Sequence, residues 1–235
     1  MNNELLLIVS LLVIYGGVLF VYKWFGKTGL YCWTVFATVT ANIEVLIMIR
    51  AFGMEQTLGN ILFASTFLVT DILSETAGKK DAARAVNMGI VTSVFFILLS
   101  QSWLLYTPSK EDWARPAFET IFLNTPRLLL ASLLVYAISQ RFDVWAYHKW
   151  WEFTKKKFGD SRRFLWLRNN GSTLISQLLN TVLYTFGAFL GMYDMSVLIS
   201  ICLSSYAIFV ATSLLDTPFV YMARRIAEKG KNELF

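Results

Sequence analysis

Seven apolar runs, each close to the length that crosses a bilayer, follow one another along the chain with short connections between them. They cover residues 5–22, 29–50, 58–76, 85–106, 121–146, 169–190 and 196–222. About 20 apolar residues rising 1.5 Å each match the hydrocarbon thickness of a membrane. In lipid every backbone polar group must be bonded internally, so runs this long and evenly apolar predict helices and not barrel strands. No room is left for a soluble domain. Composition agrees, with 56% of the 235 residues hydrophobic and 16% charged, against roughly 25% charged in soluble domains. The predicted fold class is all-α: a polytopic transmembrane bundle of seven spans.

Lysine and arginine set the orientation. Segments 23–28, 77–84, 147–168 and the tail after 222 hold 16 of the 21 basic residues, and all four fall on one side of a seven-span arrangement. The other side carries Arg50, Lys110 and Arg115 beside Glu55, Glu111, Asp112, Glu119 and Asp194. The positive-inside rule then predicts an outside N-terminus and an inside C-terminus. The first run follows "MNNE", without a positive flank or a cleavage site, and reads as a retained span. The net charge of +5 is explained by these loops and needs no nucleic acid. Segment 107–118 reads as an outside loop anchored by Trp113. Cys32 and Cys202 lie inside apolar runs, which predicts buried thiols without a disulfide framework.

Ionisable residues within the bilayer are costly, by about 2.5–3.5 kcal/mol on insertion scales, so each is a functional candidate. Glu44 lies in the second run, Asp71 and Glu75 in the third, Arg127 in the fifth and Asp216 in the seventh. Arg141 and Asp143, near the inner interface, could snorkel and weigh less. In the third run Asn60, Ala64, Phe67, Asp71, Glu75 and Gly78 share one helical face; in the sixth Thr173, Gln177, Asn180, Tyr184, Gly187 and Gly191 do so. Such stripes line a cavity or glue helices together, and two facing stripes favour the cavity. Asp71 either meets a substrate or pairs with Arg127 or Arg141. Glu75 has Lys79 and Lys80 within reach. Asn169, Asn170 and Ser172 are natural caps for the sixth span, and Arg168 beside them stabilises the loop or pairs with Asp143.

Enzymatic classes fail on residue chemistry. The single histidine, His148, sits in an interfacial "YHKWW" with no nucleophile opposite it in a span. One histidine with scattered acids is no metal centre. "TDILSETAGKKDAAR" superficially resembles the paired-aspartate motif of membrane alcohol phosphotransferases, but the following "NMGIVTSVFF" lacks its further aspartates. No phosphate-cradling glycine loop occurs. A small channel, receptor or transporter remains, with no cofactor and no metal expected.

Three stretches, "GNILFASTFLVTDILSETAGKKDAARAV", "PRLLLASLLVYAISQRFDVWAY" and "LWLRNNGSTLISQLLNTVLYTFGAF", resemble in order the bacterial queuosine precursor transporter family, a vitamin-uptake type of small membrane carrier. The resemblance spans roughly residues 35–225. It implies a six-span core over 29–225, an extra N-terminal span in 1–28 and a cytoplasmic tail over 226–235. It also implies import of 7-cyano-7-deazaguanine or a related 7-deazapurine across the inner membrane, feeding tRNA queuosine synthesis. Asn180 departs from the aspartate common there, which keeps hydrogen bonding but no acid at that point. Asp71 or Glu44 would accept the N1–H and exocyclic amine of a guanine-like base, and the amides of Gln177 and Asn180 would answer its other polar atoms. Phe67, Tyr184 or Trp33 would stack on it. The expected substrate-binding set is Glu44, Asn60, Phe67, Asp71, Glu75, Arg127, Thr173, Gln177, Asn180 and Tyr184, supported by Arg168, Asn169 and Ser172. The halves 29–106 and 121–222 would form inverted repeats, because each has an odd number of spans. The energy source stays open between proton coupling, facilitated diffusion and a separate ATPase module docked on Ala37 and Ala41. The lipid bilayer and a homodimer are the other expected partners.

Overall fold

The computed structural model describes residues 2–123, 126–159 and 162–232, with side chains to residue 229. Residues 233–235, part of the expected tail, lie outside the described residues.

Helix α1 (Asn3–Glu44) would be about 63 Å long if straight, at 1.5 Å per residue, twice a hydrocarbon core. It is instead broken at Gly26, whose φ of 57° and ψ of −144° are not helical. The left-handed φ suits glycine, which lacks the Cβ that would clash. Two arms result, and they run back on each other: Asn3 Nδ2 donates to Arg50 O (2.9 Å) and the Phe52 N–H to Glu4 Oε1 (3.0 Å). The first two apolar runs are therefore one helical hairpin.

The second run stops being helical at Glu44. Met48 to Arg50, expected within a span, belong to strand β1 (Met48–Ala51), which pairs antiparallel with β2 (Met54–Thr57). Phe52 and Gly53, both with positive φ, make the two-residue turn that matches the twist of such a ribbon. The rest is helical: α2 (Gly59–Thr76), α3 (Lys79–Trp103), α4 (Arg115–Leu123), α5 (Pro126–Phe158), α6 (Leu165–Phe189) and α7 (Met195–Asn232).

Three further boundaries differ from the sequence reading. The expected loop 147–168 is helical as far as Phe158, and the tail beyond 222 continues α7. The expected loop 107–118 gives way at Arg115 to α4, which lays Phe118 and Phe122 against Trp103. Trp113 anchors nothing within the protein and is 90% exposed. Arg115 instead collects the carbonyls of Trp103, Leu104 and Tyr106 at 2.7–3.1 Å, which a helix C-terminus leaves unpaired.

Four helices among the described residues are long and apolar enough to cross a membrane: α1, α3, α5 and α7 over Met195–Lys229. Leucines and phenylalanines point outward from them, including Leu12, Phe20, Phe95 and Leu203, each more than half exposed. That is the surface of a helical membrane protein. α2 and α6 fall short of that hydropathy because they carry the polar stripes, and most of α2 is buried. Cys32 is exposed and Cys202 partly so, both as free thiols, against the expectation of buried ones. Ala37 and Ala41 are buried against Leu62, so they offer no docking face to another subunit.

A candidate substrate cavity above a polar column

A cavity of about 160 Å³ opens among the second arm of α1, the β-hairpin and α2, α3, α5, α6 and α7. It has room for roughly ten waters at the 10–15 Å³ each needs. Its aromatic walls include Phe63, whose ring meets Tyr136 and Phe209 at 6.1 and 6.2 Å between centroids. Tyr184 and Phe189 add a second aromatic pair. Polar groups interrupt these rings. Gln56 of β2 is 3% exposed, yet neither Nε2 nor Oε1 has a hydrogen-bond partner. Asn60 Nδ2 and Tyr136 Oη are likewise unpaired, although Asn60 Oδ1 accepts from Thr57 Oγ1. Each unmet buried polar group costs about 1–3 kcal/mol. Four of them on the walls of one cavity mark a place built for an occupant with donors and acceptors of its own.

Below the cavity the two stripes meet a third helix. Gln140 of α5 donates to Thr66 Oγ1 (2.7 Å) and accepts from Thr70 Oγ1 (3.3 Å). Ser139 donates to Asn180 Oδ1 at 3.3 Å. One face of α6 then serves three aspartates. Thr173 Oγ1 donates to Asp71 Oδ2 (2.9 Å), Ser176 Oγ to Asp143 Oδ1 (2.7 Å) and Asn169 Nδ2 to Asp216 Oδ1 (2.7 Å). Asn170 adds a bond to Thr217 at 2.7 Å. These amides dock on α7 beside Pro218, which lacks an N–H and interrupts the helical ladder.

The column ends in an ion pair. Arg168 Nη2 and Nε bind Glu75 at 2.7–2.9 Å, and Tyr147 Oη donates to Glu75 Oε2 at 2.8 Å. The guanidinium also lies 4.3 Å over the Trp151 ring and donates to Arg163 O. With every face occupied, this buried charge is tolerated where a bare one is not. Nearby, burial and the charge of Lys79 hold His148 below its ordinary pKa.

The expected residues thus divide. Asn60, Asn180 and Tyr184 line the cavity. Asp71, Thr173 and Gln177 are buried in the column beneath it, and Phe67 packs edge-on against Phe63. Glu75 pairs with Arg168, not with Lys79 or Lys80, and Arg168 does not pair with Asp143. Arg127 binds the carbonyls of Gly187 and Leu190 at the end of α6, and Arg141 binds Asn87, so neither reaches Asp71. Glu44 is half-buried off the cavity wall. Trp33 donates to Ser65. Asn169 and Ser172 are no caps, because α6 already starts at Leu165. Asp143 does not snorkel; it is fully buried. Sequence reasoning missed Gln56, Tyr136 and Gln140. Only Gln140 left a signal, since Ser139, Gln140 and Asp143 fall within one helical turn.

The chain's residues 57–223 match a protein family described as "Putative vitamin uptake transporter". A curated protein of Bacillus subtilis (strain 168), named "Probable queuosine precursor transporter", is 41% identical over 209 residues, 89% of each chain. No solved structure matches.

Proposed function

The chain belongs to the vitamin uptake transporter family, and from that premise we propose that it imports a queuosine precursor, 7-cyano-7-deazaguanine or a related 7-deazapurine, across the bacterial cytoplasmic membrane. The observation that carries the reading is the cavity wall, where unpaired amides stand among aromatic rings. A deazapurine is flat, so Phe63, Tyr136 and Tyr184 supply stacking surface. Its edge alternates donors and acceptors, and a carboxamide answers both at once. Gln56, Asn60 and Asn180 are assigned that task. Glu55, which lines the cavity where Asp71 and Glu44 do not, is the carboxylate assigned to the base's paired N–H groups.

Seven crossings follow if the two arms of α1 count separately and join α2, α3, α5, α6 and α7. Ties at both ends support the alternation. Lys27 meets Asp81 and Arg162 meets Glu228 at one end, while Asn3 and Glu4 meet residues 50–52 at the other. The basic end faces the cytoplasm, which puts the β-hairpin and the cavity outside. In the inverted-repeat reading α2 and α6 are mates, each the middle helix of its half.

The test is uptake of labelled 7-cyano-7-deazaguanine by cells unable to synthesise it. The wild-type chain restores uptake, and Asn60→Ala and Asn180→Ala lower it at equal membrane expression. A wild-type chain that is expressed and moves no base sinks the reading.

A further inference from the structure

Three aspartates from α2, α5 and α7 converge on α6, and among the described residues no lysine or arginine bonds to any of them. Asp71, Asp143 and Asp216 are at most 1% exposed. Each receives one donor from α6, as given above. The donors to Asp71 and Asp143, Thr173 and Ser176, stand one turn apart on the same face of α6 and bring the two carboxyl groups to neighbouring positions. Yet Asp71 Oδ1 and Asp143 Oδ2 have no donor. A second observation is independent of the carboxylates: Asn169 is fully buried and fixed into the cluster by its Nδ2, and its Oδ1 is also without a donor. Ser74 Oγ, one turn along α2 from Asp71, is the unpaired hydroxyl nearby in sequence.

The shortage is specific. Three unpaired acceptors share buried surroundings, and the cations at that end of the column, Arg168 and Arg224, are both on Glu75. An isolated carboxylate in such surroundings is strongly disfavoured. One hydrogen placed between the two carboxyl groups removes a charge and bonds two orphaned oxygens at a stroke. Ionisable groups set like this within a membrane protein mark proton pathways in carriers. Around the pair stand Asp216 from α7, Tyr15 from α1 with its hydroxyl on Thr212 O, Tyr147 from α5, and the Glu75–Arg168 ion pair from α2 and α6.

The cluster is tied to the cavity by side chains already described. Thr66 and Asn180 stand on the cavity wall. Thr66 bonds Gln140, which accepts from Thr70, next in sequence to Asp71. Asn180 accepts from Ser139, one helical turn from Asp143. An occupant that shifts Thr66 or Asn180 moves the helices that hold the two aspartates together.

We propose that Asp71 and Asp143 form a shared proton site and that the carrier moves a proton inward with each substrate molecule. The inference rests on the carrier reading above.

The experiment uses the full chain in liposomes containing a trapped pH-sensitive dye, with 7-cyano-7-deazaguanine added outside. Wild type acidifies the lumen when substrate is added. An inward gradient of one pH unit drives about tenfold accumulation for one proton per substrate. Asp143→Asn abolishes both the acidification and the gradient-driven accumulation, while labelled substrate still exchanges for unlabelled. Wild-type uptake without acidification, or uptake that follows a sodium gradient instead, overturns the proton site and leaves the carrier standing. Proton movement that persists undiminished in Asp143→Asn overturns the assignment to this pair. Absence of any substrate movement by the wild type overturns the carrier reading and this inference with it.

Discussion

Arg168 and Glu75, 93 residues apart in the chain, meet as a two-pronged ion pair with Nη2 2.7 Å from Oε1 and Nε 2.9 Å from Oε2. It joins α2 to α6, the two stripe-bearing helices, at the end away from the cavity. Both side chains are buried, at 0% and 4% exposure. Removing a partner from a buried pair typically costs about 3–5 kcal/mol; without Arg168, Glu75 keeps only Arg224, 3.5 Å away and partly exposed. Arg168→Met is therefore expected to lower the melting temperature in detergent sharply. Combining it with Glu75→Leu restores much of the loss, because no buried charge is then left over. A single variant as stable as wild type would show that the pair is not closed in the membrane-embedded protein.

Gln56 leads to the opposite sign. Its carboxamide is buried and bonded to nothing, so truncation removes a desolvation penalty and no hydrogen bond. Gln56→Ala is expected to leave the ligand-free protein as stable as wild type or up to about 1–3 kcal/mol more stable. Substrate affinity should fall by a similar free energy, roughly tenfold for each 1.4 kcal/mol. Thermal melting with and without 7-cyano-7-deazaguanine separates the two effects. A substrate-induced shift equal to that of wild type would remove Gln56 from the site.

What the sequence reading reached and what it missed have a common cause. Periodicity reports which residues share a helix face, and the stripe from Thr173 through Gln177 to Tyr184 is indeed the polar spine of α6. It cannot report which face of another helix comes opposite. Periodicity puts Lys79 and Lys80 within reach of Glu75, but its partner Arg168 lies on α6. Asp143 sits near a run's end, where a side chain could snorkel, but α5 extends to Phe158 and places it in the interior. Short apolar segments are ambiguous as well. Met48 and Ile49 fit a helix's end as readily as a strand, and the Phe52–Gly53 turn decides for the strand. With β2 unrecognised, Gln56 had no reason to stand out.

Gly89 of α3 offers a test of the cavity's shape from outside it. A Cβ there would collide with Tyr136 Oη and lie 2.6 Å from its Cζ. Tyr136 is a cavity wall with 3% exposure. Gly89→Ala must push the ring toward the cavity or α3 away from α5, at about 1–3 kcal/mol for overpacking. Uptake is expected to fall well before the protein fails to fold. Adding Tyr136→Phe removes the atom in closest conflict and should recover part of the fold stability. Undiminished uptake by Gly89→Ala would mean that Tyr136 does not border the transport route.

Asp81 supplies a pH dependence outside the spans. At the start of α3 it accepts from Tyr31 Oη and Lys27 Nζ, with Arg84 beside it, so it ties the α1 turn to α3. The Tyr31 bond first, then the lysine and arginine charges, hold its carboxyl below the usual range. A depressed folded-state value means that the unfolded chain takes up the proton more readily. The contribution is complete above the unfolded value of about 4 and is lost as pH falls through the lower folded value. The melting-temperature difference between wild type and Asp81→Asn should be positive and constant from neutral pH down to about pH 5. Below that it should shrink toward zero. Salt should shrink it too, because the partner cations Lys27 and Arg84 are exposed and their charges are screened. A difference that grows on acidification would reverse the sign and place the tie elsewhere.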